Sequence, residues 1–176
     1  MKLIALILLV FVNTAVNSAE LFGVNLVSAS RDELRAAVKM AGVKLVKEAG
    51  VGAFHDVYKG DSVLHEAKKL YLGFVKKDKK FAFAEYEFNG LQQPVMLNKL
   101  INKYGKAAPT KGKFLTDMSY SWLSDGIKIN FYQDWPAHKT RLIYFNPEAL
   151  QQLRSEQKLF AVASNKAKAV YQEQAF

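Results

Sequence analysis

Residues 69–88 read KLYLGFVKKDKKFAFAEYEF. Two apolar, aromatic-rich runs flank a basic centre, which is the pattern of two antiparallel strands joined by a short turn. With the turn centred on Lys77 and Asp78, Leu70, Leu72 and Phe74 share a face with Phe81 and Phe83. Tyr71, Gly73 and Val75 then share the other face with Ala82 and Ala84. Both faces are partly apolar, so this hairpin belongs in the middle of its sheet. The charged tip, residues 76–80, is a solvated turn that discourages edge-to-edge pairing.

Upstream of the hairpin, Ser30, Arg31, Asp32 and Glu33 match the S-x-x-E capping box. Leu34, Val38, Ala41 and Leu45 follow on one helical face, which predicts a helix over residues 31–48, ended by Gly50 and Gly52. The run FHDVY at 54–58 is a strand, and residues 19–30 carry a weak strand pattern. Downstream, Asn89 and Gly90 break the hairpin. Pro94 opens a helix with Leu97, Leu100, Ile101 and Tyr104 at helical spacing, and Gly105 caps it. Residues 106–113 form a polar connection. Three strands follow, over 114–123, 127–133 and 140–145, with turns at 124–126 and 135–138. Asn146, Pro147 and Glu148 then open a final helix over 147–172, with Leu150, Leu153 and Phe160 toward the sheet.

The order of helix and three strands recurs. It divides the chain into two αβββ repeats, residues 30–90 and 91–147, followed by the C-terminal helix. The expected fold class is α+β, an antiparallel sheet of about six strands with helices packed on one face and the other face open. The helix end LINKYG (100–105), the Trp122 strand and the run GIKINFY (126–132) carry a resemblance. In this order of elements the chain resembles the tandem α/β modules of secreted β-lactamase-inhibitor-like proteins and of small outer-membrane assembly lipoproteins. That resemblance implies a binding module. The chain departs from both groups in having no cysteine, where the first usually carries disulfides and the second a lipid-anchoring Cys.

The absence of cysteine also excludes thiol catalysis and cysteine metal sites. With 176 residues, half of them apolar, the chain has material for one packed domain. Residues 1–19, MKLIALILLVFVNTAVNSA, combine Lys2, an apolar run over 3–12 and small residues up to Ala19. This is the three-part pattern of a secretory signal peptide, too short to span a bilayer. It predicts cleavage after Ala19, a single domain over 20–176 with no transmembrane segment, and a periplasmic or secreted location. The formal net charge of +9 attracts polyanions. The lysines are dispersed and no nucleic-acid motif accompanies them, so no nucleic-acid role is assigned.

Candidate chemistry is sparse. His55-Asp56 and His65-Glu66 put each His and its acid on opposite faces of an extended chain, which does not converge ligands on a metal. Glu85 and Glu87 fall on one strand face, where solvated acids paired with lysines compete with a glycosidase pair. Asp134 and His138 lie in one loop with Ser119 and Ser121 nearby in sequence, but no nucleophile-elbow motif accompanies them. No catalytic residue, metal or cofactor is therefore assigned. The open face of the second hairpin remains, with Lys128, Asn130, Tyr132 and Arg141 facing outward and His138 and Trp135 at its rim. Trp135, beside Pro136, is the aromatic anchor of this surface unless it folds back over a core edge. The expected function is binding of a protein or an envelope polymer. The alternatives are a small envelope-polymer hydrolase with His138 as base, and a basic adaptor for anionic surfaces through residues 76–80.

Overall fold

The computed structural model describes residues 18–50, 52–61, 64, 66–90, 94–111, 118–134 and 137–174. A short hairpin, β1 (Glu20–Leu21) and β2 (Val24–Asn25), leads into α1 (Arg31–Met40). Four strands follow: β3 (Leu45–Lys47), β4 (His55–Lys59), β5 (Ala67–Phe74) and β6 (Phe81–Asn89). The order then recurs with α2 (Pro94–Tyr104), β7 (Ala108–Lys111), β8 (Met118–Ser124), β9 (Ile127–Asp134) and β10 (Lys139–Phe145). The chain closes with α3 (Pro147–Gln174).

The fold is α+β, as the sequence predicts. Its main sheet is antiparallel and eight-stranded, in the order β3-β4-β5-β6-β10-β9-β8-β7. α1 and α2 are thus each followed by a meander of four strands, and the two meanders meet through their last strands, β6 and β10. The sheet is wider than the expected six strands because both edge strands are easily missed. β3 is three exposed residues, and β7 carries Pro109, which a strand tolerates only at an edge.

The capping box of α1 forms as read. Ser30 accepts from the Glu33 N–H, and Glu33 reaches back to the Ser30 N–H. The helix stops eight residues earlier than periodicity suggests, since it ends at Met40 and not at 48. Gly42 takes φ +73, the Gly42 N–H bonds to Lys39 C=O, and the Val43 N–H bonds to Val38 C=O. That is a Schellman motif, and its hydrophobic contact is supplied by buried Val38 and Val43. Leu45, counted in the helical stripe, instead begins an edge strand and is exposed.

The central hairpin forms with one change of face. Leu72 pairs with Ala84 and Gly73 with Phe83, but Phe74 pairs with Phe81. A register shift between these pairs makes Ala82 the extra residue of a bulge. Phe81 therefore stays with Phe74, as expected, while Phe83 moves to the face of Tyr71 and Glu85, and Ala84 moves to that of Leu72.

α1 and α2 cover one face. Leu34, Val38, Met96 and Leu100 pack there with Leu70, Leu72, Tyr86, Phe88, Trp122, Ile129, Phe131 and Leu142 in one continuous cluster. α3 sits at the hairpin-tip end of the sheet, where Ala149 and Leu153 bury against Val75, Ala82 and Phe83. Asn146 caps it, accepting from the Glu148 and Ala149 N–H groups. Among the described residues, no helix is long and apolar enough to cross a membrane.

Candidate functional site

The face turned away from α1 and α2 follows from register. Across β4, β5, β6, β10, β9 and β8 one row reads Val57, Tyr71, Glu85, Ile143, Asn130, Ser121. Its neighbour reads Lys59, Lys69, Glu87, Arg141, Tyr132, Ser119. The next row toward α3 reads His55, Gly73, Phe83, Phe145, Lys128, Leu123. Lys128, Asn130, Tyr132 and Arg141, predicted from alternation alone to face outward, all lie here.

Arg141 is engaged by the sheet itself. It hydrogen-bonds Glu85, its Nε donates to Asp134 at 3.3 Å, and its Nη2 lies 3.8 Å from Glu87. Lys139 Nζ donates to Glu87 at 2.8 Å. Glu85 and Glu87 are therefore not solvated strand-end acids, since Glu87 is only 5% exposed. They form an ion network across the β6–β10 seam, paired with cations more than fifty residues away in sequence. Tyr132 flanks this network, and its phenol is raised above the ordinary range by burial, with the charge of Glu85 adding to the effect.

Toward β8 the surface changes character. Ser121 Oγ donates to Asn130 Oδ1 at 2.9 Å. Lys128 is exposed, and Leu123 is 69% exposed. A hollow of about 320 Å³ opens among Ala108, Ser121, Leu123, Lys128, Asn130 and Phe145. Lys128 and Asn130 are thus joined by the sequence-predicted Ser121 and by two residues not singled out from sequence, Leu123 and Phe145. Alternation places Leu123 outward, so the signal was present. Phe145 acquires its position only through its pairing with Lys128. The edge of this region is held by Trp122, whose Nε1 donates to the carbonyl of Gly105 at the end of α2.

His138 is exposed, has φ +48, and its carbonyl accepts from the Gly90 N–H. Asp134 accepts from Arg141 and Ser121 donates to Asn130, so these two of the triad candidates suggested by sequence are committed to other partners. Trp135, His65, and strand positions 114–117 lie outside the described residues. His55 and Asp56 do point to opposite faces. Asp56 is buried under α1, bound by Arg35 Nε and Nη2 at 2.7 and 2.6 Å, while His55 packs edge-on against Tyr71.

No family model matches the chain, and no curated protein matches it. A solved structure of a DUF4309 family protein (YjgB) from Bacillus subtilis is similar over 72% of this chain and 86% of that chain, at 12% identity and a TM-score of 0.42. A likeness of that degree carries no functional argument.

Proposed function

We propose that the chain is an exported binding module that engages a protein or envelope polymer through the second half of its open sheet face. The observation that carries this reading is the surface around the β8–β9 hollow. An exposed Leu123, a basic Lys128 and the Ser121–Asn130 pair stand together there on rigid strands, away from α1 and α2. A mix of exposed apolar side chain, hydrogen-bonding groups and a cation is the composition of an interaction surface. Export is supported by Lys2, the apolar run 3–12 and the small residues ending at Ala19. The mature chain would begin at Glu20 and act outside the cytoplasm.

The Arg141 network has a different part in this reading. Its charges are consumed within the sheet, so Arg141 holds the floor of the surface and does not recognise a ligand. Lys128, Asn130 and Tyr132 are the contacting groups, with Trp135 and His138 in the adjacent loop. The test is a pull-down from envelope extract and from purified envelope polymers, with wild type, Leu123→Asp/Lys128→Glu and Tyr132→Ala/Trp135→Ala. Both double variants are expected to lose the retained species. An identical set of retained species in all three would overturn the site.

A further inference from the structure

At the opposite end of the sheet, a second hollow of about 370 Å³ lies between the start of α1, residues 49, 50 and 53, and the hairpin tip. It is lined by Arg31, Ala49, Gly50, Phe54, Phe74 and Lys76. Its two charged groups are both cations. Arg31 Nε is buried and, among the described residues, has no hydrogen-bond partner. Lys76 Nζ sits 4.3 Å from the centre of the Phe54 ring and 5.4 Å from that of Phe160.

The neighbouring cations are treated differently. Lys79 pairs with Asp32, Lys80 with Asp78, and Arg35 with Glu48 and Asp56. Glu156 accepts from the backbone N–H groups of Lys76 and Lys77 at 2.9 and 3.4 Å. Arg31 and Lys76 are thus left without a carboxylate among the described residues, on a wall that is otherwise aromatic and backbone. A buried guanidinium donor without a partner is costly, so sites that hold one commonly reserve it for a ligand acceptor.

We propose that this hollow binds a small carboxylate carried on an apolar or aromatic body, with Arg31 and Lys76 taking the carboxylate and Phe54 and Phe74 taking the body. The size suits such a ligand, since pockets for small molecules begin near ~300 Å³. A guanidinium matches a carboxylate with two parallel donors, and an ammonium adds a point charge. The aromatic walls distinguish this ligand from inorganic phosphate, which gains nothing from apolar surface. The site is independent of the β8–β9 surface, at the other end of the molecule.

The probe is 4-phenylbutyrate, titrated into the isotopically labelled protein while backbone amide shifts are followed. Saturable one-to-one shifts are expected at Ala49, Gly50 and Ala53. The neutral probe 4-phenylbutyramide is expected to bind at least about tenfold more weakly, the scale of a lost charge-assisted hydrogen bond. Lys76→Gln and Arg31→Gln are each expected to weaken the carboxylate by a similar factor, and Lys77→Gln to leave it unchanged. The proposal is overturned by an absence of saturable shifts up to about 10 mM, beyond the weak end of specific binding. It is equally overturned by equal affinity for the amide, by unchanged affinity in Lys76→Gln, or by inorganic phosphate binding as tightly as the carboxylate. Lys76 is exposed, so its variant decides the matter even where Arg31→Gln does not fold.

Discussion

Gly73 sits opposite Phe83 in the central hairpin, and a Cβ added there would collide with the Phe83 ring. The position needs the space that only glycine leaves, so Gly73→Ala is expected to cost roughly 1–3 kcal/mol, the range for overpacking. Phe83→Leu in the same chain should recover part of that loss. A double-mutant cycle read by urea denaturation checks it, and simple additivity would show that the ring is not the obstacle. His55 packs beside the same pair, edge-on to Tyr71 and tilted to Phe83. Burial, followed by the charge of Lys47, holds its imidazole below the ordinary 6.5, against the weaker pull of Glu85 and Asp56. Between the two values the unfolded chain binds a proton that the folded chain does not. Stability is therefore fully present above the unfolded value and is lost as pH falls from there through the lower folded value. The urea midpoint of wild type should decline between about pH 7 and pH 5 more than that of His55→Gln, whose side chain does not titrate. Equal slopes would remove His55 from the acid response.

The elements that sequence predicts well have a cap, a turn signal or a clean alternation. β9 buries Ile127, Ile129 and Phe131 as its pattern requires, and the Asp125–Gly126 turn before it has φ of +50 and +82, which suits a two-residue hairpin. Helix starts at Ser30 and Asn146 are legible because the capping side chains are local. The failures have equally physical causes. Three exposed residues in β3 show no periodicity, and the bulge at Ala82 leaves no mark in composition. The candidate site was legible only in part. Alternation places Lys128 and Asn130 outward, but the capture of Arg141 by Glu85, Glu87 and Asp134 depends on register between distant strands. α3 shows the same division between local signal and tertiary outcome. Among its residues whose burial is described, 147–168, Ala149 and Leu153 are buried, Phe160 adds an edge contact to Phe54, and Leu159 and Val162 are exposed. Leu153→Ala is expected to cost about 2–5 kcal/mol, the range for a fully buried leucine. Leu159→Ala should cost less than about 1 kcal/mol, because that side chain is 71% exposed. Thermal melts of the two variants separate these outcomes, and a comparable loss at both positions would mean that burial at Leu153 is not what anchors the helix.

At the scale of the molecule, the two meanders share a seam and a core. β6 and β10 pair over seven residues, from Lys139↔Asn89 to Phe145↔Phe83, and the main cluster draws side chains from both halves. Neither half can lose its structure without exposing the apolar face of the other, so a single cooperative transition is expected. The sequence supplies the probe, since its two tryptophans, Trp122 and Trp135, both lie in the second half. Tryptophan fluorescence therefore reports that half, while far-ultraviolet circular dichroism reports the whole sheet. The two urea curves should coincide, and an earlier fluorescence midpoint would mean that the second half opens alone. The seam gives a sharper form of the test. Arg141→Met leaves Glu85 without its cation, while Glu87 keeps Lys139 at 2.8 Å. Removing one partner of a buried pair costs ~3–5 kcal/mol when nothing replaces it. With Lys139 retained and the Arg141 side chain 23% exposed, about 2 kcal/mol is expected here. Because the charge lost belongs to the strand pair that joins the halves, both curves should shift together to lower urea. A shift of fluorescence alone would assign Arg141 to the stability of the second meander and not to the seam.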